Sequence, residues 1–121
     1  MDKILKSLLA GAIDLHVHAT FEGRARRQNM WEVARDASQA AMRAVVFKSK
    51  DVSTVDSANV VNTLVEGVEI FGGVVLDYGV GGLNRHAVKA ALTMGAKIIW
   101  MPALDSAWTF TLPGGNNVGL A

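Results

Sequence analysis

The chain has 121 residues, half of them hydrophobic and 19% charged, with a formal net charge of +1 and no cysteine. That length and balance fit one folded domain and exclude a disordered chain, a disulfide scaffold and any thiolate metal site. A charge so near neutrality gives no electrostatic basis for binding nucleic acid or an anionic membrane.

Taken in chain order, the opening run Ile4–Leu9 contains Lys6 and is too short to cross a bilayer. Ala10-Gly11-Ala12 only faintly imitates a leader cleavage site, so a cytoplasmic protein is the expectation. A strand is expected over Ala12–Val17, and the run Ile13-Asp14-Leu15-His16-Val17-His18 alternates apolar with metal-binding side chains. A strand sends successive side chains to opposite faces. Ile13, Leu15 and Val17 are therefore expected on one face, with Asp14, His16 and His18 on the other. Two imidazoles at this spacing sit roughly 6.6 Å apart at Cα. They can converge on one ion at about 2.0–2.1 Å each, so His16 and His18 are the candidate metal ligands. Asp14 is a candidate to accept from an imidazole N–H or to orient the loop. Arg24, Arg26 and Arg27 follow without aromatic interleaving, which suits a solvated or substrate-facing loop.

The next helix is expected over Met30–Met42, with Asn29 as its N-cap and Glu32 three positions on. A second strand, Ala44–Lys48, ends in Lys48, placed to polarise a substrate or, once carbamylated, to bridge metals; Lys50 and Asp51 read as loop residues. Val55–Glu66 follows Ser53-Thr54 as a helix and stops at Gly67. The third strand, Ile70–Leu76, runs into Asp77-Tyr78-Gly79. Gly79–Asn84 stands where a dinucleotide fingerprint belongs, but Asn84 replaces its third glycine. A tight turn with Asn84 capping the helix Arg85–Met94 is the better account, and His86 in that helix is expected to face solvent. The fourth strand is Lys97–Met101. Pro102–Ala121 carries Trp108, Phe110, Pro113, Gly114, Gly115, Asn116 and Asn117 without periodicity, and reads as a loop cut off before its continuation.

Strands starting at 12, 44, 70 and 97 are roughly 30 residues apart, the length of a βα unit. The expected fold is therefore α/β: about four parallel (β/α) units with right-handed crossovers. In such folds sites lie at the carboxyl ends of the strands.

The stretches Gly11–Ala19, Ala44–Ser49, Phe71–Leu76, Gly81–Asn84 and Gly95–Pro102, in that order, resemble the amino-terminal half of the DUF6282 family. Its uncharacterised members are similar to the metal-dependent amidohydrolase superfamily. The resemblance implies a TIM-like barrel with one or two divalent ions, zinc first and manganese or iron next, at the carboxyl ends of the strands. His16 and His18 match the first-strand HxH ligands; the remaining ligands come from later strands. A complete barrel takes about 250 residues, so residues 1–121 read as one partial barrel domain, truncated at the carboxyl end, with half a metal site. The family tends to carry histidine where this chain has Lys50, and a lysine there suits an anionic substrate group.

The function expected is metal-assisted hydrolysis of a small molecule. Lys48 and Asp14 are the catalytic candidates, and Lys50 and Arg24 the substrate-binding ones. Two alternatives remain open: a nucleotide or phosphate binder using the Gly79–Asn84 turn, and a non-catalytic half-barrel that works only by pairing, through its open sheet edges, with itself or another chain.

Overall fold

The computed structural model describes residues 2–19 and 21–113. Four strands, β1 (Ile13–Val17), β2 (Ala44–Phe47), β3 (Glu69–Val75) and β4 (Ile98–Trp100), pair in parallel in the order β1-β2-β3-β4. Helices α2 (Met30–Gln39), α3 (Val55–Asn62) and α4 (Arg85–Thr93) form the connections. The sheet is curled into half of a TIM-like barrel. The curl brings the ring of His16 on β1 within 6.4 Å of the Trp100 ring on β4, although two strands lie between them.

The outer layer follows from sequence periodicity. Val45, Phe47 and Ile70 on the sheet pack with Met30, Ala34 and Ala37 of α2 and Ala58 and Val61 of α3. A second cluster joins Val74, Leu76, Val55 and Ala91. The small alanines let the helices approach the sheet closely. Asn29 caps α2 as expected: its side chain accepts from the Glu32 N–H at 2.9 Å, and the Glu32 carboxylate accepts from the Asn29 N–H at 2.9 Å. Asn84 caps α4 by accepting from His86 and Ala87.

Thr54, which precedes α3, makes no side-chain cap to it; its hydroxyl lies 2.7 Å from the Phe47 carbonyl and 3.1 Å from the Gly73 carbonyl, and accepts from the Gly73 N–H at 3.0 Å. It joins β2 to β3 instead. The expectation of a wholly irregular tail is corrected, because Ser106 caps a short helix, α5 (Ala107–Thr111), by accepting from the Thr109 N–H. Gly114, Gly115, Asn116 and Asn117 lie outside the described residues.

At the other end, Ile4–Leu9 falls within a short helix, α1 (Lys3–Leu9), capped by Asp2 and with no buried residue. Among the described residues no helix is long and apolar enough to cross a membrane.

Candidate metal centre at the strand ends

β1 carries one residue more than its partner strand needs. Ile13 and Asp14 pair with Ala44 and Val45, but Val17 pairs with Phe47, so three steps on β1 match two on β2. An extra residue reverses the facing of everything on one side of it. Asp14 therefore registers with Val45 and Val17 with Phe47, both on the helix-covered face. The single polar face expected for Asp14, His16 and His18 is thus corrected. Asp14 is out of phase with the histidines, and its carboxylate accepts from the His16 backbone N–H at 3.0 Å. It holds the irregular turn of β1 and touches neither imidazole through a hydrogen bond.

The two histidines do converge. Their Nε2 atoms face each other at 3.1 Å, with ring centroids 5.1 Å apart. Two nitrogens each about 2.1 Å from one ion stand roughly 3.0–3.4 Å apart at octahedral or tetrahedral angles, so the spacing is that of a chelating pair. His16 is exposed and His18 half-buried, which leaves the pair open to an ion from solution. Among the described residues no third His, Cys, Asp or Glu completes a metal-binding group with them. The pair supplies two of the four ligands a tetrahedral ion takes.

The orienting carboxylate is Glu22, which sequence reasoning missed. Its side chain is only 2% exposed. One oxygen lies 3.3 Å from His18 Nδ1 and the other accepts from Arg26 Nε at 3.0 Å and from Arg26 Nη2. A carboxylate that accepts a hydrogen bond from Nδ1–H leaves the Nε2 lone pair free to bind metal. The spacing His18, Glu22, Arg26, four residues apart each time, was the available signal, but it lies in a loop where helical periodicity is not sought.

Lys48, immediately after β2, is buried at the same strand ends, with its Nζ 5.1 Å from the centre of the Trp100 ring. Trp100, also missed from sequence, sits over Gly73, where an added Cβ would lie 2.5 Å from the indole. Burial first, then the positive charge of Lys48, holds the His16 pKa below its ordinary value, so the imidazole is neutral and ligand-competent near pH 7. Burial and Lys50 likewise lower Lys48, against the opposing pull of Asp77. Lys50 is half-buried and faces this group electrostatically. Arg24 is exposed, with no hydrogen bond or ion pair of its guanidinium among the described residues, and His86 is exposed as expected.

Asp77 stands at the end of β3 beside the site, but its carboxylate is occupied. It accepts from the N–H groups of Ala103 at 2.7 Å, Leu104 at 3.3 Å and Asp105 at 3.1 Å. Its task is to pin the loop after β4. The adjacent glycine turn is closed on itself. Val80 and Gly82 donate to the Asp77 carbonyl, Gly81 to Tyr78 and Asn84 to Gly82. Gly81 and Gly82 adopt positive φ of 89° and 67°, the reason for glycine there. Those four amides are committed within the turn and are not directed at a phosphate.

Comparison with known families matches residues 11–115 to the profile of DUF6282, described as a family of unknown function. No curated protein and no solved structure matches the chain.

Proposed function

The chain belongs to the DUF6282 family, and on that premise we propose that it is a metal-dependent hydrolase of the amidohydrolase type acting on a small molecule. The observation that carries this reading is the 3.1 Å approach of the His16 and His18 Nε2 atoms at the carboxyl end of a parallel α/β sheet. Two unprotonated ring nitrogens so close repel unless a proton or a cation lies between them.

His16 and His18 hold a divalent ion, zinc foremost, with manganese and iron as the next choices. Such an ion, when bound, lowers the pKa of a coordinated water toward about 7 and polarises the bond to be cleaved. Glu22 keeps His18 in the tautomer that presents Nε2, and Arg26 keeps Glu22 in place. The lowered pKa of His16 favours its free lone pair near neutral pH. Lys48, beside the pair and against Trp100, is the group positioned to polarise substrate.

Isothermal titration of the metal-free chain with zinc and manganese, compared with the double variant His16→Ala, His18→Ala, tests the assignment. Stoichiometric binding abolished in the variant is the expected result. Binding of unchanged affinity in the variant removes these ligands and the reading with them. Hydrolysis of an amide, lactone and phosphoester panel by the metal-loaded chain then assigns the bond type.

A further inference from the structure

Lys48 is 6% exposed, yet its ammonium has no carboxylate within ion-pair distance among the described residues. The ammonium lies over the face of Trp100. A buried lysine without a counter-charge is costly, and proteins ordinarily pair it. The carboxylates around the strand ends are engaged elsewhere, save one oxygen of Asp105 in the loop after β4, which is buried without a hydrogen-bond partner among the described residues. Asp77 binds three backbone N–H groups, Glu22 binds His18 and Arg26, and Asp14 accepts from the His16 N–H. Asp51, next to Lys50 in the chain, reaches away to the Gly23 N–H at 3.1 Å. Lys50 adds a second positive charge that both Lys48 and His16 sense. The strand ends thus gather the charges of Lys48 and Lys50 beside the His16–His18 pair, while Asp77, the carboxylate whose charge Lys48 senses, is held beyond ion-pair distance on backbone N–H groups.

From this arrangement we infer that the site takes an oxyanion, the carboxylate or phosphate of its substrate, on Lys48 and Lys50 beside the His16–His18 pair. The inference deepens the hydrolase reading and rests on it for the word substrate, but the anion subsite itself requires no metal. Trp100 is a positioning residue. Its indole, accommodated over Gly73, supports the Lys48 ammonium from one side and directs it to the open end of the sheet. Two ammonium groups borne two residues apart just after β2 supply charge without the fixed fork of arginine, which suits a compact oxyanion of either kind.

The test uses the full chain stripped of metal, titrated with inorganic phosphate and, in parallel, acetate, followed by calorimetry and by NMR shifts of the lysine ammonium groups. One saturable site is expected for at least one probe. It weakens about tenfold or more in Lys48→Met and in Lys50→Met, as loss of a charge-assisted contact does. Lys89→Met, on α4, is the control and leaves binding unchanged. Lys48→Met also removes an unpaired buried charge, so it folds at least as stably as the parent, and Lys50→Met gives an independent reading from a half-buried position. Absence of saturable binding of either probe, or affinity in both variants equal to the parent's, overturns the proposal. His16→Ala, His18→Ala separates the two readings: loss of metal binding with phosphate binding retained leaves the anion subsite standing whatever becomes of the hydrolase.

Discussion

At the scale of single residues, the consequential contact is the carboxylate of Glu22 on His18 Nδ1. Glu22→Gln keeps the shape but replaces the proton acceptor by an amide that can also donate, so the preferred tautomer of His18 is lost. A 10- to 100-fold fall in zinc affinity is expected, the usual effect of removing such a support, measured by competition with a chelator. His16 offers a second reading in the metal-free protein. Its pKa lies below the ordinary 6.5, through burial and then through Lys48. NMR titration of the ring should place its midpoint below that of a free histidine, and Lys48→Met should move it upward. The sign for stability follows. The folded state binds the His16 proton less readily than the unfolded chain, so this contribution is complete above pH 6.5 and is lost as pH falls through the lowered value. Exposure of the ring keeps it small. A stability curve that rises on acidification through that window contradicts the assignment.

At the scale of elements, two neighbouring glycines let β3 pass between close partners. A Cβ on Gly73 would stand 2.3 Å from the Ile98 carbonyl oxygen and 2.5 Å from Trp100, and one on Gly72 would stand 2.5 Å from the Thr54 carbonyl oxygen. Gly73→Ala is therefore expected to destabilise by about 1–3 kcal/mol, the range for overpacking, and to displace Trp100, visible as a changed indole fluorescence. Thr54 ties the same region from the other side. Thr54→Val leaves the Gly73 N–H without its acceptor in a buried setting, at a cost of about 1–3 kcal/mol in urea denaturation. Equal midpoints for Thr54→Val and the parent would show that this N–H finds another acceptor. Helix caps behaved as sequence chemistry dictates for Asn29 and Asn84, because a short acceptor side chain before a helix acts locally. Thr54 departed from that pattern because two strand ends competed for its hydroxyl and won.

At the scale of the molecule, the half-barrel has an open flank at β1. Ile13 and Leu15, expected with Val17 on one apolar face, are 51% and 56% exposed, and α1 adds exposed Ile4, Leu5 and Leu8 beside them in sequence. Beyond β1 and beyond β4 no further strand pairs among the described residues. Unpaired edges with apolar neighbours seek partners. Sedimentation velocity should show mass rising with concentration, and Leu15→Lys should suppress it; a single monomeric boundary at all concentrations rejects self-association. Metal adds a global readout. Zinc at a hundredfold excess over its Kd should stabilise the fold by about 2.7 kcal/mol through mass action, and the double histidine variant should gain nothing.

Residue patterns alone determined the four parallel βα units, the helix starts at Met30, Val55 and Arg85 and the proximity of His16 to His18. These depend on local periodicity and on spacing two residues apart along one strand, which no distant contact needs to supply. Tertiary structure decided the rest. The extra residue in β1 that removes Asp14 from the histidine face exists only in register with β2. The arrival of Trp100 beside Lys48 depends on a curl that carries β4 back toward β1. The occupation of Asp77 by the loop after β4 is likewise a contact between residues 26 to 28 positions apart. Pairing register, sheet curvature and long-range hydrogen bonds are properties of strands in one another's presence, and a chain read one residue at a time does not contain them.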